Sequence, residues 1–162
     1  MRDLARELAR DVRNLSHRLY PPVLEHLGLV AAIGSFCSDL TAREKLPIQF
    51  AADTDSISLS SDVSVGLYRI VQEALQNVVK HARASRAEVR LWQTSDALYL
   101  RICDDGIGFL PRGRDCATGI GLTSMEERAK LVAGEFHLQS SPGRGTSIEV
   151  RVPLRTANSQ PH

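Results

Sequence analysis

Apolar residues along this chain recur at helical intervals in some stretches and at alternate positions in others. Leu4, Leu8, Val12, Leu15 and Leu19 fall three or four residues apart among Arg, Asp and Glu, and the run stops at Pro21-Pro22. That spacing predicts a helix over residues 1–20 with one apolar face. Two uses are open to this face, packing on its own domain or pairing with a partner helix. A second helix is predicted over Leu29–Lys45, ending at Pro47, and a short strand over Ile48–Ala52. Ser60, Ser61 and Asp62 supply N-cap chemistry for a long helix from Val63 to about Ala82. Alternation over Ala87–Gln93 and Ala97–Cys103, separated by the polar Thr94-Ser95-Asp96, predicts an antiparallel hairpin. The loop Leu110–Thr118 holds Pro, Gly and charge with too little apolar content to fold alone, and is expected to be mobile. A helix over Leu122–Val132, a strand over Glu135–Ser140, a Pro142-Gly143 turn with Gly145 and a strand over Thr146–Val152 complete the body. The polar residues after Pro153 read as a fraying tail. Helices and strands in this order predict an α/β fold, a two-layer sandwich of helices on a mixed, mostly antiparallel sheet.

Composition narrows the classes. A chain of 162 residues holds one domain with a proper core and at most a short appendage. With 43% apolar residues, 24% charged residues and a net charge of +1, there is no basic field to attract nucleic acid and no acidic tail. Cys37, Cys103 and Cys116 are odd in number and lack CxxC spacing, which fits a reducing, cytoplasmic compartment better than a disulfide framework or a zinc site. The longest apolar run, Leu27–Gly34, is far short of the ~18 residues that span a bilayer, so this fragment is not expected to contact a membrane. A sensing or anchoring part would lie outside it.

Three constellations carry chemistry. On an α-helix, Asn77 and Lys80 lie at roughly +40° and −20° from Glu73, while Val71, Leu75, Val78 and Val79 line the opposite arc toward the sheet. A solvated helix face accounts for such a trio; a carboxylate, a neutral oxygen ligand and an ammonium are also what a magnesium-bound triphosphate requires. In CDDGIGF, residues 103–109, an acid at a strand end precedes GxG. The acid can accept a hydrogen bond from an exocyclic amine while the bare backbone passes beneath a flat ring, although an acidic turn has the same text. In Thr118-Gly119-Ile120-Gly121-Leu122, glycines open directly into a helix, leaving N–H groups for phosphate oxygens or a hinge for a closing loop. Neither GxGxxG in a βαβ context nor GxxxxGK[ST] is present.

Taken together these residues resemble a known family. EALQNVVKHARAS (73–85) is similar to the N box, DDGIGF (104–109) to the first glycine box and GIGLTSMEERAKLVAG (119–134) to the second, of the GHKL (Bergerat-fold) ATP-binding domain of sensor histidine kinases. SPGRGTSIEVRVPL (141–154) resembles its closing strand, and VRNLSHRLYPPVLEHLGLVAAI (12–33) the end of the second dimerisation helix in the class related to nitrate and membrane-fluidity sensors. The resemblance implies residues 1–28 as helix end and linker, 29–154 as catalytic domain and 155–162 as disordered tail. It implies ATP and Mg2+ as cofactors. Asp104 would bind the adenine amino group with help from Thr146, and Gly106 and Gly108 would admit the ring. Asn77 would ligate magnesium, Lys80 would neutralise phosphate, Glu73 would be the acid-base or polarising carboxylate, and Gly119, Gly121 and Leu122 would hinge the lid. His81 fits the N box too, with packing or capping as its other role; Arg128 fits the second glycine block, and Arg112 and Arg114 could reach phosphates from the lid. The implied partners are the dimerisation and phosphoacceptor domain of the same kinase, homodimeric at full length, and a LuxR-like response regulator. His17 precedes Arg18 where the family's phosphorylated histidine is followed by an acid, so the acceptor is expected outside this chain. The same fold also serves gyrase-like hydrolases and nucleotide-dependent anti-sigma switches with serine-kinase activity.

Overall fold

The computed structural model describes residues 21–53, 57–111 and 119–154. The expected helix over 1–20 with His17, the lid residues Arg112 and Arg114, Thr118 and the tail 155–162 lie outside the described residues. In chain order the elements are helix α1 (Pro22–Glu44), strand β1 (Ile48–Ala52), helix α2 (Ser61–Asn77) running into a π-helical turn (Val78–Ala82), strands β2 (Ala87–Gln93) and β3 (Ala97–Asp104), helix α3 (Ile120–Leu131), and strands β4 (Glu135–Ser140) and β5 (Thr146–Pro153).

The strands form one sheet in the order β1-β2-β3-β5-β4. β1 and β2 are parallel, because α2 carries the chain back between them, and every other neighbouring pair is antiparallel. Strand alternation decides which face is core. Val89, Leu91, Leu98, Leu100, Ile102, Ile148, Val150 and Val152 point inward and are buried against Ile33, Leu40, Leu67, Val71, Leu75 and Met125 of the helices. The intervening residues face outward, where Trp92 stacks on Tyr99 with ring centroids 5.1 Å apart and Arg101 pairs with Glu149 at 2.9 Å. Among the described residues helices cover one side only, which makes the two-layer sandwich of mixed, mostly antiparallel sheet and helices that the sequence predicts.

Two elements depart from expectation. α1 begins at Pro22 rather than Leu29 and is broken at Gly28, whose φ is 75° and ψ 173°; Leu24 before the break and Leu29 after it are both buried. By length and composition α1 could cross a membrane, but Leu29, Ala32, Ile33, Cys37 and Leu40 belong to the core. The long helix that Ser60 initiates, its Oγ accepting from Val63 N–H at 3.4 Å, is α-helical only to Asn77. From Val78 to Ala82 the backbone widens to a π turn, which ends at Arg83 in the left-handed region (φ 49°).

Candidate nucleotide-binding site

A cleft of about 640 Å³ separates the end of α2 and its π turn from the ends of β3 and β5, the loop after β3 and the start of α3. Its size suits a small-molecule ligand. Asn77, Val78 and His81 form the helical wall, Ile102, Asp104, Thr146 and Ile148 the sheet wall, and Gly108, Phe109 and Leu110 the loop wall, with Gly119, Gly121 and Leu122 of the start of α3 completing the lining. The loop after the hairpin and the helix carrying Asn77 thus border one cavity.

Asp104 reaches this cavity through strand parity. It follows Leu98, Leu100 and Ile102 on the inward face of β3 and stands opposite Thr146 of β5. Its Oδ1 accepts from Gly106 N–H at 2.8 Å. Burial pushes its carboxyl above the ordinary aspartate value; the N–H groups of Gly106 and Thr146 pull it back, and the neighbouring charge of Asp105 pushes it up. Asp105, next in the chain, turns to the surface, where the Ser85 hydroxyl and then the Arg86 backbone N–H hold its carboxyl below that value.

The glycines acquire reasons that the sequence did not supply. A Cβ on Gly106 would collide with the carbonyl of Ala82, and Ile107 N–H donates to that same carbonyl oxygen at 2.8 Å. Gly106 therefore lets the loop lie on the end of the π turn and is not part of the cleft lining, whereas Gly108 is. A Cβ on Gly121 would collide with the carboxylate of Glu73 and approach Asn77 Nδ2 to 3.4 Å, so the first turn of α3 sits directly on the Glu73–Asn77 pair. Among the described residues no side chain caps that turn at Gly119. Glu73 is half-buried beneath it and does not itself line the cleft.

The π turn decides which basic residue faces the cavity. In an unbroken α-helix Lys80 would share the face of Glu73 and Asn77, with His81 at its edge. Each residue of the wider turn advances by less than the ~100° of an α-helix, and the result is His81 in the cleft lining with Lys80 exposed outside it. No spacing in VVKHA signals this, since its apolar residues fit either helix. Arg128 stays on α3, where its Nη1 donates to Ser124 Oγ one turn back.

A two-layer sandwich whose cleft is lined by a strand-end acid, a helix-end asparagine and a glycine-led helix is the arrangement of the GHKL ATP-binding class. Residues 62–156 match the model of the histidine kinase-, DNA gyrase B- and HSP90-like ATPases, and the chain belongs to that family. It is similar to the oxygen sensor histidine kinase NreB of Staphylococcus carnosus (strain TM300), 36% identical over 148 residues covering 91% of this chain and 42% of that protein. Sensor histidine kinase MctS of Rhizobium johnstonii is 34% identical over 151 residues, covering 92% of this chain and 32% of that protein. This chain spans less than half the length of either curated relative. Its fold is like that of the histidine kinase domain of the blue-light activated histidine kinase from Erythrobacter litoralis EL346, with a TM-score of 0.63 at 22% identity over 78% of this chain and 61% of that one.

Proposed function

We propose that this chain supplies the ATP-binding catalytic domain, residues 29–154, of a two-component sensor histidine kinase, with residues 1–28 as the end of a dimerisation helix and its linker and 155–162 as a tail. The observation that carries the reading is the shared cleft, lined together by Asp104 and Thr146 of the sheet, Asn77 of α2 and the start of α3. Asp104 accepts the adenine amino group, and Thr146 opposite it helps hold the ring edge. The apolar side chains of Val78, Ile102, Phe109 and Ile148 exclude water from its faces. The N–H groups of Ile120 and Gly121 at the start of α3 meet phosphate oxygens, while Leu122 N–H closes the turn on Gly119 O at 2.9 Å.

Among the described residues no group of three or more His, Cys, Asp or Glu side chains could hold a metal by itself. The Asn77 amide oxygen instead fits a magnesium ion whose remaining ligands are phosphate oxygens and water. Bound there, the ion neutralises phosphate charge. Phosphoryl transfer depends mainly on positioning and charge neutralisation. In this reading Glu73, one turn before Asn77 and outside the cleft lining, polarises the imidazole that receives the γ-phosphoryl group. That imidazole belongs to a dimerisation domain of the same kinase, homodimeric at full length, and an aspartate of a LuxR-like response regulator takes the phosphoryl group next. The setting is the cytoplasm.

The test is radiolabelled ATP with this chain alone and with a helical fragment bearing His followed by an acid. Acid-labile phosphate is expected on the fragment and absent from this chain. Strong labelling of this chain that His17→Gln removes would overturn the placement of the acceptor, and steady phosphate release without any protein labelling would favour a hydrolase. A second expectation separates the two basic residues of the π turn. His81→Ala should weaken ATP about tenfold and Lys80→Ala by less than about threefold, since only His81 lines the cleft. Calorimetry showing the opposite ranking would return the phosphate role to Lys80.

A further inference from the structure

Asp105 does not line the cleft, yet both of its carboxylate oxygens are engaged. Its Oδ1 accepts from Ser85 N–H at 2.8 Å and from Arg86 N–H at 3.1 Å. Its Oδ2 accepts from the Ser85 hydroxyl at 2.5 Å and faces Arg86 Nε at 3.7 Å. All these partners lie in the short reversal between the π turn and β2, just after Arg83 takes its left-handed conformation. Two backbone bonds run beside them, Asp105 N–H to Arg86 O at 3.4 Å and Ile107 N–H to Ala82 O at 2.8 Å, and Gly106 lies against Ala82 between them. The loop that carries Asp104 on one side is therefore stitched to the segment that carries His81 on the other.

We infer that Asp105 is a positioning residue for base recognition: its carboxylate clamps the loop after β3 to the 83–86 reversal and so fixes the separation between Asp104 and the Asn77–His81 wall. The inference rests on the reading of Asp104 as the acceptor for an adenine amine. An exposed ion pair with Arg86 alone would contribute little. Backbone N–H groups gripped by one carboxylate oxygen set geometry instead, and recognition of an amine edge tolerates errors well below 1 Å. The division of labour between the two oxygens gives the clamp a specific chemical signature. Asparagine retains Oδ1 for both backbone donors, and the Ser85 hydroxyl can turn to accept from its Nδ2; alanine removes every arm.

The experiment is calorimetry of the whole chain with ATP and GTP, since guanine presents an acceptor where adenine presents an amine. Asp105→Ala is expected to lose about tenfold in ATP affinity and to narrow the preference for ATP over GTP, while Asp105→Asn stays within about threefold of wild type on both counts. A merely structural aspartate would lower the melting temperature without moving the ATP-to-GTP ratio, and that result overturns the inference. Ser85→Ala, which cuts one arm and leaves the loop untouched, should lose about threefold in ATP affinity; wild-type binding in this variant, where Asp105→Ala proves insoluble, also overturns it. Asp104→Asn run in parallel keeps the failures apart. Discrimination lost in Asp104→Asn but intact in Asp105→Ala removes only the clamp, and discrimination intact in Asp104→Asn removes the acceptor reading on which it rests.

Discussion

Replacing Asp104 with asparagine is expected to weaken ATP and ADP binding by well over tenfold while leaving the melting temperature at neutral pH unchanged or raised. The two halves of this result have one origin. Asp104 stands on the inward face of β3 at the strand's last position, and burial raises its carboxyl above the ordinary aspartate value. For a raised folded-state value the linkage favours the fold below the unfolded aspartate value and is lost as pH rises through the raised one. Above that range the carboxylate carries a burial cost that a neutral amide would not. Asparagine keeps an oxygen for the Gly106 N–H that Asp104 Oδ1 now accepts at 2.8 Å. It removes the charge and turns an amide N–H₂ toward the amine of the base. Calorimetry with both nucleotides and a thermal scan of the same preparation decide the matter. Unchanged affinity removes the adenine assignment, and a melting temperature lower by several degrees would make the carboxylate a structural group.

Asp104 was legible because strand alternation carries through the motif: once Leu98, Leu100 and Ile102 are core, the fourth residue of that parity must look inward. Ser60 as N-cap and the hairpin were legible for similarly local reasons. What escaped is tertiary. Leu24 and Leu29, five residues apart, would sit about 140° from each other on an unbroken helix, and both are buried only because the chain turns at Gly28. The parallel pairing of β1 with β2 depends on the path of α2, not on IQFAA. Gly106 and Gly121 read as places for a ring and a hinge; they also sit where a Cβ would meet the Ala82 carbonyl and the Glu73 carboxylate. The π turn left no trace in residue spacing, yet it selects His81 over Lys80 for the cleft. Motif text therefore pointed to residues that line one cleft, and close backbone approaches determine which of them do.

Asn77→Ala carries the other large effect: the variant should fold as wild type and bind ATP with an affinity that no longer responds to magnesium. Asn77 is the last residue of α2, lines the cleft, and makes no side-chain capping bond to the π turn that follows. Alanine is the better helix former, and it withdraws the amide that approaches Gly121 without adding bulk against α3. The amide oxygen is a neutral ligand for a hard cation, and a site that adds one such oxygen to phosphate and water ligands gains affinity only while the cation is present. In wild type, magnesium is expected to tighten ATP about tenfold or more; in Asn77→Ala the titrations with magnesium and with chelator should superimpose. Lys80→Ala, altered at the exposed position three residues on, should keep the magnesium response. If Asn77→Ala keeps it as well, the cation is held elsewhere, and Glu73, whose carboxylate lies against Gly121, becomes the residue to replace next.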